Sequence, residues 1–302
     1  MGLSATRMVL QRITINNAKN FRHISDNTFE LWARRAVGGA NPINSDLMKE
    51  LIKSKKPQIS LLQRIKNFFG LRQKINPKTF SSGEKTPNIP FLASKKSVEA
   101  SNKYVQNHRI TTSDRIVDGF RDGGRDVRFD KWGKAISAHR EIVTVDFACD
   151  KYLQKIIEHT KTSTQGMSEK QKAKFIYDLI IDLGGDAVKA ERRSNELAKV
   201  YQGKEILLGK VFEKEASCCR HKSLLFKILA DEVGLKTAIV RGNMLDFGGI
   251  GGHAWNEVIL SNGKRFIYDT QNASIINVTK GQVEKNASYY LDMYDQVLYN
   301  KY

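Results

Sequence analysis

Residues 217–272 carry one long apolar helix pattern followed by three strand-type runs, and this order limits the fold more than any other feature of the chain. In HKSLLFKILADEV, Leu224, Leu225, Ile228, Leu229 and Val233 recur at helical spacing, and Gly234 supplies the C-terminal stop. Residues 236–241 (KTAIVR), 253–260 (HAWNEVIL) and 264–270 (KRFIYDT) are short and rich in β-branched and aromatic side chains, the composition of strands. The glycine-rich GGIGG at 248–252 reads as a pliant loop between the first two. Upstream, residues 142–159 and 168–183 show helical periodicity, the second behind Ser168 as N-cap, and 189–201 predict a further helix. The pattern predicts an α+β domain with helices first, then a small antiparallel sheet packed on the last helix.

The same stretch brings a thiol, an imidazole and a carboxylate within reach of one another. Cys219 falls in the first turn of the helix, where unpaired backbone N–H groups and the positive dipole end favour an anion. A thiol so placed is expected to have a lowered pKa, and the thiolate is the nucleophilic form. Those N–H groups can also hold the oxyanion of an attacked acyl group. His253 opens one strand of a hairpin and Asp269 lies near the end of the other. Between them, Ser261-Asn262-Gly263 suits a three-residue loop that wants glycine last. Leu260 then faces Lys264, Trp255 faces Asp269, and His253 faces Gln271. Strand parity puts His253 and Asp269 on one face as diagonal neighbours, about 7–8 Å apart at the backbone. A two-residue loop would flip that parity and break the pairing. Singly, each residue has a bland alternative: a packed cysteine, a structural histidine, a turn aspartate. Their order and placement make Cys219, His253 and Asp269 the candidate nucleophile, base and orienting group.

Charge divides the chain unevenly. Of 302 residues, 50 are Lys or Arg and 32 Asp or Glu, a net charge of +18. Residues 1–110 hold 20 basic and 6 acidic side chains, leaving the remainder close to neutral. The boundary is therefore expected near residue 110, with residues 1–110 a basic, partly flexible arm of short helices and 111–302 the compact domain. Within the arm, residues 28–37 predict a helix, Asn44 or Ser45 caps another, and 59–71 (ISLLQRIKNFFGL) has an apolar stripe between basic residues. Residues 76–107, rich in Pro, Ser, Lys, Asn and Gly, read as linker. Such an arm suits an anionic membrane or an acidic protein surface. Nucleic acid is disfavoured, because the arm has no zinc spacing, no basic heptads and no aromatics interleaved with arginine. Met1-Gly2-Leu3-Ser4-Ala5-Thr6 also fits the N-myristoylation pattern.

Three cysteines, two of them adjacent, do not make a disulfide framework, and no apolar run is long enough to span a bilayer. A reducing, cytoplasmic setting is expected, the cytoplasm of a host cell included if the chain is a bacterial one. No cofactor is expected: residues 248–252 are followed by no Lys-Ser/Thr, and the cysteines and His221 lack a second cluster at zinc spacing.

Cys, His and Asp in this chain order resemble the transglutaminase-like superfamily of papain-type cysteine enzymes. His253-Ala254-Trp255-Asn256-Glu257 is similar to the His-x-Trp-x-Glu segment of transglutaminases, and Tyr268-Asp269-Thr270 to the aspartate-bearing strand that follows it. Cys219-Arg220-His221-Lys222-Ser223-Leu224-Leu225-Phe226-Lys227, then Leu229-Ala230-Asp231 and Gly234-Leu235, resembles more closely the peptidase-like domain found beside plant stress- and ethylene-signalling kinases and in scattered bacterial proteins. The resemblance implies a papain-like core, a Cys219 nucleophile, a His253 base and an Asp269 that orients it. Cys218 is outside the family's pattern, and Arg220-His221 directly after Cys219 favours Cys219. Attack on an amide of a protein or peptide through a thioester follows. Water as acceptor gives a protease, deamidase or glycanase, and an amine gives a transglutaminase; water is the default acceptor. The alternative from another class is a catalytically silent scaffold whose basic arm targets a membrane or partner.

Overall fold

The computed structural model describes residues 94–185, 187–246 and 249–299. Helix α1 (Lys95–Asn107) starts at Ser94, whose hydroxyl accepts the Ser97 N–H. Short strands follow: β1 (Arg109–Ile110), β2 (Arg121–Asp122), β3 (Arg128–Phe129), β4 (Ala135–Ile136) and β5 (Ile142–Thr144). Helices α2 (Lys151–Ser163), α3 (Glu169–Gly184) and α4 (Ala187–Val200) lead to β6 (Glu205–Leu207) and the short α5 (Leu208–Glu213). Helix α6 (Cys219–Glu232) is followed by β7 (Lys236–Asp246), β8 (Gly249–Ile259), β9 (Arg265–Asp269) and β10 (Ser274–Asn277). A 3-10 turn (Lys285–Tyr289) then enters β11 (Tyr290–Leu291).

The larger sheet runs β1-β7-β8-β9-β10, with β11 also pairing β7. A second sheet runs β2-β5-β6, with β5 and β6 parallel, and β3 and β4 form a hairpin. The fold is therefore α+β. Helix α6 lies between the larger sheet and helices α2, α3 and α5. Every residue from Arg220 to Ala230 is buried, the expected burial of a helix enclosed on all sides. Its end is a Schellman motif: Leu235 N–H bonds Ala230 O and Gly234 N–H bonds Asp231 O, with Gly234 at φ +78°. On α3, Ser168 caps as the sequence indicates and forms a reciprocal capping box with Gln171.

Three local expectations change. Residues 142–144 form a strand, and the helix read from 142 begins at Lys151 behind Asp150 as N-cap. An apolar run enclosed between two neighbouring strands has no polar face by which to tell strand from helix. Residues 95–110 belong to the compact unit that holds the site, so this body starts before residue 110. Val98 on α1 packs with Val127, Phe129 and Ile142, and β1 pairs β7. The stripe that buries α1 is diluted by Ser, Asn and Lys, which made it read as linker. Finally, 249–252 continue strand β8 rather than forming a loop. The helices expected at 28–37 and after Asn44 or Ser45, the stripe at 59–71 and the Met1-Gly2 motif lie outside the described residues.

Gly242 on β7 marks the tightest backbone approach. A Cβ there would collide with the carbonyl oxygen of Leu291 on β11 and lie 2.8 Å from the Trp255 ring. Gly251 has nothing within 4 Å of the same position. Gly242→Ala is therefore expected to destabilise by about 2 kcal/mol, and Gly251→Ala to leave stability nearly unchanged. Paired urea-unfolding curves check this; equal midpoints for the two variants would contradict it.

Candidate active site

The helix start is built from two sulfurs. Cys218 is the N-cap of α6 in extended geometry, and Cys219 is the first helical residue. Nδ1 of His221, three residues on, accepts the Cys218 N–H at 3.1 Å, while the Cys218 sulfur accepts the His221 backbone N–H. A thiol and an imidazole here replace the usual hydroxyl and carboxamide of a capping box. The Cys218 sulfur is 3.6 Å from His221 Nδ1, and His221 Nε2 is 3.1 Å from Glu141 Oε1. The Cys219 thiol stands beside that of Cys218, and both sulfurs are partly accessible.

The strand side follows the expected register. Asn256 pairs with Tyr268 and Ile259 with Arg265, and Leu260 and Lys264 close the hairpin with Gly263 at φ +80°. The loop tip is tied to α3, where Glu169 accepts both the N–H and the hydroxyl of Ser261. His253 Nε2 and Asp269 Oδ2 are 2.7 Å apart, both side chains buried. Tyr290 OH and Asn272 Nδ2 donate to the same oxygen at 2.8 and 2.9 Å. The backbone N–H groups of Gln271 and Asn272 donate to Oδ1. Donation by Nε2–H to Asp269 leaves Nδ1 of His253 as the basic nitrogen.

Alternation along β8 explains the rest of HAWNE. The Trp255 ring stacks on His253 at 5.9 Å and meets Tyr290 edge-on at 5.0 Å. Its Nε1–H donates to Tyr299 OH, which donates to Glu257, itself paired with Arg109 and Arg265. On the other face Asn256 donates to the carbonyls of Ser223 and Ala238, tying the strand to α6 and β7.

Electrostatics divides the two thiols. The neighbouring Cys219 thiol, then His221 and Arg220, hold the Cys218 thiol well below its usual range despite burial. The Cys219 thiol is pushed up by Cys218, by burial and by Asp269. The lowered pKa expected at Cys219 therefore falls on its neighbour. Arg220 does not face the sulfurs as an open positive charge either: its guanidinium bonds Glu141 and the Asp122 carbonyl. Cys218, His221, Glu141, Tyr290 and Asn272 were not singled out as site residues from sequence. Only Asn272 left a trace, as part of an Asp-x-x-Asn turn after a strand. Among the described residues no group of three or more His, Cys, Asp or Glu could hold a metal ion.

Burial works against the charge on Asp269, but His253 and Asn272 outweigh it and hold the carboxyl at about 2. Glu141 is likewise held at about 2, where His221 and Arg220 overcome burial. Both carboxyls titrate lower folded than unfolded. Their contribution is complete above the ordinary carboxylate pKa of about 4 and is lost as pH falls toward 2, on the order of 2 kcal/mol each. Asp269→Asn and Glu141→Gln should each flatten the acid limb of a plot of unfolding free energy against pH. Acid limbs as steep as that of the unmodified chain would contradict this.

The comparison with curated proteins found no match. Residues 127–273, the stretch carrying Glu141, the two thiols, His253 and Asp269, are similar to the family model described as EDR1/CTR1/ARMC3, peptidase-like.

Proposed function

We propose that the domain is a thiol-dependent acyl-transfer enzyme acting on an amide bond of a protein or peptide, and that it works as a hydrolase, either protease or deamidase. The observation that carries this reading is the buried 2.7 Å bond between His253 Nε2 and Asp269 Oδ2, on the strand that Asn256 ties to α6, the helix that starts at Cys219. Asp269 fixes the His253 tautomer so that Nδ1 takes the Cys219 proton as sulfur attacks the amide carbon. The N–H groups of the first turn of α6 receive the oxyanion. His253 returns the proton to the departing amine or ammonia, the C–N bond breaks, and a thioester remains. His253 then activates water, which cleaves the thioester and restores the thiol. An amine in place of water would give a cross-link.

The test is incubation of the full chain with a complex peptide mixture, with and without an added primary amine, followed by mass spectrometry. New peptide termini are expected for a protease, and glutamine or asparagine converted to acid for a deamidase. Cys219→Ala and His253→Ala are each expected to reduce the product at least about a thousandfold. Amine adducts in place of acid or new termini would replace hydrolysis by transamidation. No product with the chain, or product unchanged in Cys219→Ala, would retire the enzyme and leave a scaffold carrying a basic arm.

A further inference from the structure

Capping α6 does not require sulfur. Serine is the better N-cap, and glutamate or glutamine the usual partner three residues on. Cysteine and histidine at these positions set a thiol on an imidazole that is itself 3.1 Å from a buried carboxylate, Glu141. A second thiol is on the adjacent residue, Cys219, and both are partly accessible. The acyl-transfer mechanism uses only Cys219, which leaves the Cys218–His221–Glu141 set without a task. The third cysteine, Cys149, is exposed, and the negative charge of Asp146 raises its thiol.

We propose that Cys218 and Cys219 are a site of reversible oxidation by hydroperoxides, closing to a disulfide between adjacent residues. The Cys218 thiolate attacks the terminal, hydrogen-bearing oxygen of the hydroperoxide. An S–O bond forms, the O–O bond breaks, and the departing alkoxide or hydroxide takes a proton from water. The Cys219 sulfur then attacks the sulfenyl sulfur of Cys218. The S–S bond forms, the S–O bond breaks, and water leaves with the Cys219 proton. The two thiols have lost two electrons and two protons, and the hydroperoxide has become an alcohol, or water, plus a second water. Adjacent Cα atoms are about 3.8 Å apart, short of the usual span of a disulfide, so the ring is strained and easily reduced. Such a bridge is a poor structural staple and a good reversible modification. It also occupies the sulfur assigned to amide attack, a consequence that rests on the proposed function, whereas the bridge itself does not.

The test uses the full, reduced chain with one equivalent of hydrogen peroxide, an iodoacetamide quench and mass mapping of tryptic peptide 215–220, which contains both cysteines. The expected product is this peptide lighter by two hydrogens, free of alkyl groups and restored to two alkylatable thiols by dithiothreitol, with Cys149 still alkylated. In Cys219→Ser, dimedone should trap a sulfenic acid on Cys218. In Cys218→Ser, which keeps a competent N-cap, that adduct should be lost. His221→Asn should slow oxidation about tenfold or more by removing the imidazole that lies 3.6 Å from the Cys218 sulfur. A persistently dialkylated peptide, oxidation of Cys149 first, higher oxides on Cys219 alone, or a dimedone adduct retained in Cys218→Ser would each overturn the proposal. None of these readouts requires amide chemistry, so they stand or fall apart from the acyl-transfer reading.

Discussion

Arg220 leaves the first turn of α6 and enters a buried cluster, where its guanidinium bonds the Asp122 carbonyl and both the carbonyl and carboxylate of Glu141. Arg241 closes the cluster from β7. It bonds Asp122 and the Gly124 carbonyl and lies 3.8 Å over the Tyr104 ring of α1. Four elements, α6, β2, β7 and α1, thus meet on a few charges with the segment that leads into β5, and the position of both sulfurs depends on that meeting. The desolvation cost of such a cluster is high, and losing one partner strands the others at a typical cost of about 3–5 kcal/mol. The net effect is less a gain in stability than a fixed geometry: α6 has one place to start, with Glu141 ionised beneath His221.

The strand side of the site was legible because its determinants are local. Glycine last in Ser261-Asn262-Gly263 sets the loop type, the loop sets the register, and the register puts His253 and Asp269 on one face. The helix was legible through its apolar period and its glycine stop. What sequence could not supply came from distant residues. Glu141 lies far from His221 in the chain and sits beside a run read as helix. Tyr290 reaches Asp269 because β11 pairs with β7 at Asn243 and Met244, beside the close approach at Gly242. Nor could the direction of His221 be read, since a residue three positions into a helix can cap backward or face outward; the buried carboxylate on its far side decides.

In the proposed acyl transfer, the two thiols bear on how the first bond to substrate forms. A helix N-terminus offers roughly half a unit of positive charge, and two sulfurs in contact titrate as one coupled pair. The first charge settles where an imidazole backed by a carboxylate is nearest, which is Cys218. On the proposed mechanism, attack by Cys219 then calls for a base in the transition state rather than a preformed thiolate–imidazolium pair. That requirement accounts for the investment around Asp269, where five donors hold the carboxylate ionised and still. A fixed anion at Nε2 becomes more valuable as His253 gains positive charge, so its stabilisation grows along the reaction coordinate. In this arrangement Cys218 stores the resting charge, and His253 supplies the basicity that Cys219 uses.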